Sequence, residues 1–282
     1  MVLTGDIAFS KPDMGEEEAQ AAADAVRSGW IVGGPRLAEF EMRFAKECGA
    51  LHAVATSSWT TGAFLVLHAW GIGPGDEVIV PSLTFIATVN VIRHAGATPV
   101  FAEVDARTFN IDPKDVERKI TPRTKAIIAV DQLGLPCEIE AINALAKAHD
   151  LHVLDDAACA FASRTHGRVV GSVAEIAVFS LHARKVISTA EGGMIVTDDG
   201  ALAARLRMLR HQGMSVSDFA RHGARPTEFE QYPEIGYNHR MTDIQAAIGL
   251  VQLERLPELL RLRRQAAQRY TEALREHAFI VP

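Results

Sequence analysis

Phe179-Ser180-Leu181-His182-Ala183-Arg184-Lys185-Val186-Ile187-Ser188-Thr189-Ala190-Glu191-Gly192-Gly193 is a turn of hydroxyls, small residues and glycines between two apolar runs, 175–179 and 194–197. Its lysine follows Asp156 by twenty-nine residues, and Asp155-Asp156 closes another apolar run, 152–155. Most lysines are solvated surface residues. This one stands among small residues, with Ser180 and His182 near it and Gly192-Gly193 permitting close backbone approach. A lysine so placed can form a Schiff base with a carbonyl cofactor, and an aspartate at a neighbouring strand end can keep that cofactor's ring nitrogen protonated. Together the two point to pyridoxal phosphate chemistry.

Outward from this turn the chain alternates. Short apolar runs at 53–55, 77–80, 98–102, 126–130 and 152–155 read as strands, and helical patterns at 60–70, 85–95, 113–119 and 139–149 separate them. Strand–helix alternation with short connections predicts an α/β fold: a three-layer α/β/α sandwich around a mostly parallel sheet. Ligands then belong at the carboxyl ends of the strands.

Upstream, residues 15–28 carry acids in the first turn and apolar residues at helical spacing, which predicts a first helix ended by Gly29. The stretch 29–35 has too many breakers for regular structure and reads as a loop bearing an exposed Trp30, a candidate substrate contact rather than a mere connector. A second amphipathic helix covers 37–48. Downstream come a helix over 201–210, a polar Gly- and Arg-rich loop over 212–237, and one long helical pattern from Thr242 to about His277 that stops at Ile280-Val281-Pro282. That last pattern divides the chain into a large cofactor-binding domain, 1–250, and a helix, 251–282, leading into an incomplete C-terminal small domain.

Composition narrows the partners. The 282 residues are 48% hydrophobic, with a formal net charge of -6. Acids interleave with the Lys and Arg, so no basic face is left for a nucleic acid. No segment has the apolar length of a signal peptide or a membrane span, which places the protein in the cytoplasm. Cys48, Cys137 and Cys159 form no C-x-x-C pair, and the eleven histidines show neither H-E-x-x-H nor ligand spacing; no metal is expected.

Three further stretches bear on a site. Thr56-Ser57-Ser58-Trp59-Thr60-Thr61-Gly62 lies between a strand and a helix, where unpartnered first-turn amides favour a phosphate; ordinary N-capping explains the same residues. Phe85 in Pro81-Ser82-Leu83-Thr84-Phe85 comes out at the sheet's carboxyl edge, where an aromatic can stack on a flat ring, although such a residue is more often core. Gly71-Ile72-Gly73-Pro74-Gly75-Asp76 follows a helix and precedes a strand, the reverse of a dinucleotide loop, and reads as a turn. At Asp155-Asp156 an unpaired buried charge would be costly, so one of the two needs a cationic partner, a pyridinium or an arginine.

With these residues in place, the sequence resembles the DegT/DnrJ/EryC1/StrS sugar aminotransferase family, within the fold-type I pyridoxal phosphate enzymes. The resemblance runs over the whole chain, through Phe9-Ser10-Lys11-Pro12, Ser28-Gly29-Trp30, Gly73 to Val78, Pro81 to Phe85, Thr121 to Ile127, Asp155 to Ala158, Phe179 to Met194 and Gly236-Tyr237-Asn238-His239-Arg240-Met241-Thr242-Asp243. It implies that Lys185 is the catalytic Schiff-base lysine and that Asp156 pairs with the ring nitrogen. It implies that Ser58, Trp59, Thr60 and Ser180 hold the phosphate and that Phe85 lies on the ring. Asn238 is implied to reach the phosphate of a neighbouring subunit in a homodimer, and Trp30, His182 and Arg240 are taken as substrate contacts. The implied reaction moves an amino group from L-glutamate to a keto carbon of a nucleotide-linked sugar, for amino-sugar or polysaccharide biosynthesis.

Two departures stand at the cofactor. Trp59 replaces the family's usual glycine, so its indole must turn away from the phosphate. Cys159 replaces a Gln or His that contacts the cofactor's phenolic oxygen, and a thiol is a weaker donor. Two other readings follow. A sugar dehydratase of the same family carries His in place of the lysine, which Lys185 argues against; a protein that binds the cofactor without turnover is the other.

Overall fold

The computed structural model describes residues 10–215 and 230–277. Much of the 212–237 loop, Phe9 and the Ile280-Val281-Pro282 terminus lie outside the described residues.

A seven-stranded sheet forms the middle layer. Its strands are β1 (His52–Thr56), β2 (Glu77–Pro81), β3 (Thr98–Ala102), β4 (Thr124–Val130), β5 (His152–Asp156), β8 (Ile176–Ser180) and β9 (Gly193–Thr197), in the order β1-β9-β8-β5-β4-β2-β3. Neighbouring strands are parallel, except that β9 runs against both β1 and β8. The predicted sandwich is thus observed, and β9 is antiparallel because the Lys185 turn brings the chain straight back beside β8.

Side chains of successive strand residues point to opposite faces, and here both faces are buried. Val54, Val80, Ile128, Leu154, Val178 and Ile195 face a layer made by α3 (Trp59–Ala69), α4 (Ile86–His94) and α7 (Gly200–Leu209). On the opposite face, Ala55, Phe179 and Met194 meet Phe40 and Phe44 of α2 (Pro35–Cys48) and Ala246 of α8 (Asp243–Glu254). Ile127, Ala129 and Val153 meet α5 (Pro113–Lys119) and α6 (Ile139–His149). Such double burial is why the strands read as continuous apolar runs.

Buried polar groups tie the ends of the chain to this frame. Asp243 sits at the start of α8, yet its carboxylate accepts from the Gly34 and Leu37 N–H groups at 2.9 and 3.0 Å, capping α2 from 206 or more residues away. In α1 (Glu16–Arg27), buried Glu18 accepts from Gln252 Nε2 and Arg255 Nη1 at 2.7 and 2.5 Å, locking that helix against α8.

The predicted long C-terminal helix is corrected to two. α8 ends at Glu254, and α9 (Leu256–Leu274) begins beyond Arg255 with Pro257 in its first turn. A proline lacks the N–H that would continue the ladder, and its ring clashes with the carbonyl four residues back. The periodicity over 242–277 is real, but it spans a break. The sequence reading also omitted a small hairpin, β6 (Arg164–Thr165) with β7 (Arg168–Val169). His166 and Gly167 turn it with φ of 47° and 80°, as a tight hairpin requires. Gly71 to Asp76 is a turn as expected, closed by the Gly73 N–H on Asp76 Oδ2 at 2.9 Å.

Candidate active site

Five chain segments converge at the carboxyl ends of the strands around a cavity of about 450 Å³. The segment after β1 brings Ser58, Trp59 and Thr60; the one after β2 brings Thr84 and Phe85; the one after β4 brings Asp131 and Gln132; β5 ends on Asp156, with Cys159 just beyond; and β8 ends on Ser180, with His182 and Lys185 in the turn that follows. Residues scattered over 128 positions thus line one space.

Asp156 forms a buried floor. Its Oδ2 accepts from the Thr88 hydroxyl at 2.8 Å and its Oδ1 from the Ala158 N–H at 3.3 Å. Thr84 donates to Thr88 at 2.9 Å, so a hydroxyl relay runs along one face of the α4 entry. Burial pushes the Asp156 carboxyl up to about 7, opposed by those two hydrogen bonds and by Lys185. A carboxylate at this depth calls for a cation beside it. The protonated nitrogen of a pyridine ring answers that need, so the floor fits the cofactor named by Lys185.

Lys185 Nζ lies 3.2 Å from Cys159 Sγ, and its carbonyl accepts from Arg263 Nη2 of α9 at 2.8 Å. Its turn is tied down by the Lys185 N–H on the His182 carbonyl and by the Leu181 N–H on that of Gly192, both at 2.9 Å. The catalytic candidate therefore hangs from a fixed loop.

At the other wall Ser58 caps α3: its hydroxyl accepts from the Thr61 N–H at 3.1 Å, and the Ser58 N–H donates to Thr61 Oγ1 at 3.0 Å. The first amides of that helix have no partner within it and sit where its dipole is positive, so this end suits a phosphate. The Trp59 indole is turned into the core, donating from Nε1 to the Val178 carbonyl at 3.0 Å. That orientation leaves the helix end open despite the bulky residue.

Gly193 makes the approach of β9 to this helix end possible. A Cβ there would lie 2.3 Å from the Ser58 carbonyl oxygen. Gly193→Ala is accordingly expected to push Ser58 off its capping position, lowering stability by about 1–3 kcal/mol. Urea unfolding would read this loss, and titration with pyridoxal phosphate should show weaker binding than the wild type.

Phe85, for which a core position was the commoner expectation, is 72% exposed at the cavity rim. Ser58, Trp59, Thr60, Phe85, Asp156, Cys159, Ser180, His182 and Lys185 share the cavity lining; Trp30, Asn238 and Arg240 do not. Trp30, expected to be exposed, is half-buried, its backbone N–H on Ser28 Oγ at 3.3 Å. Asn238 is exposed and bridges to His211, whose ring accepts from the Arg240 guanidinium. Sequence reasoning missed Thr84, Thr88, Asp131, Gln132 and Glu191, which also line the cavity. The four-residue spacing of Thr84 and Thr88 after a strand was the one usable signal. Glu191 Oε1 stands 3.7 Å from His182 Nε2.

Known proteins resemble this chain over most of its length. Residues 12–282 match the model of the DegT/DnrJ/EryC1/StrS aminotransferase family. The spore coat polysaccharide biosynthesis protein SpsC of Bacillus subtilis is 44% identical over 268 residues, a match covering 95% of this chain and 69% of that protein. Among solved structures, the PLP-form of Spr1654 from Streptococcus pneumoniae superimposes with a TM-score of 0.89 at 33% identity, over 96% of this chain and 72% of the other. PseC of Helicobacter pylori, an aminotransferase involved in the biosynthesis of pseudoaminic acid, gives 0.90 at 33% identity, over 99% and 73%.

Proposed function

The chain belongs to the DegT/DnrJ/EryC1/StrS aminotransferase family of pyridoxal phosphate enzymes, and from that membership we propose that it moves an amino group from L-glutamate to a keto carbon of a nucleotide-linked sugar. The observation that carries the reading is that Lys185 and the buried Asp156 line one cavity. A protein that merely folds has no use for a strand ending on so costly a carboxylate.

When bound, pyridoxal phosphate supplies an electron sink for the bond-breaking step at the donor carbon. The protein's part is placement and proton handling. Lys185 Nζ would anchor the cofactor and would hold and move the proton at the reacting carbon. Asp156 Oδ2, steadied by Thr88, would accept the hydrogen bond of the ring nitrogen. The α3 entry and Ser180 would receive the phosphate, and Phe85 would be the aromatic residue against the ring. His182 and Glu191, at the open side, are placed to meet a polar substrate.

The same reading makes the protein a cytoplasmic homodimer. Leu83, Phe85, Ile86, Leu133 and Leu135 leave an apolar rim beside the cavity, with Leu133 89% exposed, and a rim of this kind suits a second subunit. Asn238 would then serve the neighbour's phosphate rather than its own.

The test is visible absorbance of the purified protein with pyridoxal phosphate, followed on adding L-glutamate and then a nucleotide-linked keto-sugar. A band that bleaches with glutamate and returns with the sugar is the expected result. A band that glutamate leaves unchanged would replace this reading with cofactor binding without turnover, the alternative that Cys159 at the cofactor's edge favours.

A further inference from the structure

Behind Asp156 the structure gathers a second set of acids. Asp155 points to the opposite face of β5, in register between Ala129 of β4 and Ala177 of β8. Asp131, the first residue beyond β4, and Cys137 come to the same place. One carboxylate oxygen from each aspartate and the Cys137 sulfur lie within 4.8 Å of one another. Asp131, Asp155 and Cys137 are only 2%, 3% and 3% exposed.

Their hydrogen bonding is incomplete. Asp131 Oδ1 accepts from the Cys137 N–H at 2.8 Å, but Asp131 Oδ2 and Asp155 Oδ1 are buried with no partner among the described residues. The charged and titratable groups around them are Asp156 on β5, Cys137, and Lys185 across the cavity, whose field reaches Asp156. Cys137 itself belongs to one buried apolar cluster with Ile127, Ala129, Ile139 and Val153. Asp131 is also joined to the cofactor floor: it lines the cavity, and its N–H donates to the Asp156 carbonyl at 3.1 Å.

Two carboxylates this close in an apolar setting repel each other, and neither can shed its charge into water. We propose that Asp131 and Asp155 share a single proton at neutral pH and that this one-proton pair is a positioning device for Asp156, setting the charge behind the carboxylate that receives the cofactor's ring nitrogen. Burial raises Asp131 to about 6 and Asp155 well above the ordinary range, and the Asp131 charge adds to the rise at Asp155. The proton therefore resides chiefly on Asp155. Asp131 keeps the charge. A negative charge there favours a protonated ring nitrogen at Asp156, because the two negative groups stabilise the positive ring between them and Lys185. The pairing stands on the geometry alone; its consequence for Asp156 rests on the function proposed above.

The experiment is infrared spectroscopy of the cofactor-free full chain across pH, for wild type, Asp131→Asn and Asp155→Asn. Both variants keep the side-chain shape, and Asp155→Asn mimics the protonated acid, so folding is retained. At pH 8, above the titration of Asp156, the wild type should show the carbonyl stretch of a protonated carboxyl, and Asp155→Asn should lose it. In Asp131→Asn the pH at which that band vanishes should fall by at least about one unit, as expected for interacting sites. Absence of the band from the wild type, or an unmoved midpoint in Asp131→Asn, would overturn the pair. So would a stoichiometric divalent metal in the purified protein, since a cation held by Asp131, Cys137 and Asp155 would leave no proton to share.

A second arm, titration of each apoprotein with pyridoxal phosphate, reads the link to Asp156. Asp131→Asn should weaken binding several-fold and Asp155→Asn should not. Equal affinity in both would overturn the link. The infrared arm needs no cofactor, so its outcome and that of the proposed function are read separately.

Discussion

Lys185→Ala is expected to abolish the visible band that forms with pyridoxal phosphate and to lower amino transfer by about 10³-fold or more, since the substitution removes both the covalent anchor and the proton carrier. The fold should survive it. The turn is held by backbone bonds, among them the Lys185 N–H on the His182 carbonyl and Arg263 on the Lys185 carbonyl, which alanine keeps. Among the described residues, the Nζ contact with Cys159 is the one side-chain hydrogen bond lost. Thermal unfolding of the apoprotein should accordingly move by no more than about 0.5 kcal/mol in stability. A variant that still formed the band at full strength would show that another lysine holds the cofactor, and would end the assignment of Lys185.

Asp156→Asn should act in opposite directions on the loaded and the empty protein. With cofactor, it removes the carboxylate that, on the proposed function, faces the ring nitrogen. Losing one member of a buried ionic pair costs about 3–5 kcal/mol, so transfer should fall by about 10²–10³-fold or more. Without cofactor, the carboxylate is a burden. Its folded pKa, raised to about 7, lies above the unfolded value, so its contribution to stability is present in full below about pH 4 and is lost as pH rises through 7. At pH 8 the charged carboxylate then destabilises the apoprotein by about 4 kcal/mol, at about 1.4 kcal/mol for each unit of pKa difference. Asn carries no such charge. The apo variant should unfold at a higher temperature than the wild type at pH 8 and at a similar one at pH 4, and calorimetry at the two pH values checks the sign. Equal stability at both would mean that water reaches Asp156 in the empty protein.

The strain that Asp156 places on the empty protein also explains why its partners matter. Thr88 and the Ala158 N–H supply the only hydrogen bonds given to that carboxylate among the described residues, and both are neutral. They orient the group without cancelling its charge. A site built this way favours its cationic ligand through what it leaves unpaired, and the acid pair behind it extends the same principle one layer deeper.

How much of this was legible in the chain depends on the range of the interaction involved. The strands were readable because both faces of the sheet are covered, so each strand is a continuous apolar run, and the observed bounds differ from the expected ones by at most two residues. The phosphate-side helix entry was readable because N-capping is local: Ser58 and Thr61 are three residues apart. Pro257 was in view, yet the helical period on both sides of it hid the break. The hairpin at His166 and Gly167 was too short for any periodicity to show.

Other features had no local signature. Nothing near Trp59 says which way its indole turns; the Val178 carbonyl, 119 residues on, decides that. Thr88 meets Asp156 only because α4 starts beside the end of β5. Asp131, Cys137 and Asp155 look unrelated along the chain and become one buried cluster through the pairing of β4 with β5. By itself, then, the sequence determined the alternation of elements, the glycine- and hydroxyl-rich turn that carries Lys185 and the class of cofactor, because hydrophobic period, turn residues and capping act over a few residues. Only the tertiary structure decided which carboxylates face each other, which hydroxyl steadies Asp156 and which predicted contacts stand away from the cavity, because burial and charge repulsion depend on neighbours that the fold alone brings together.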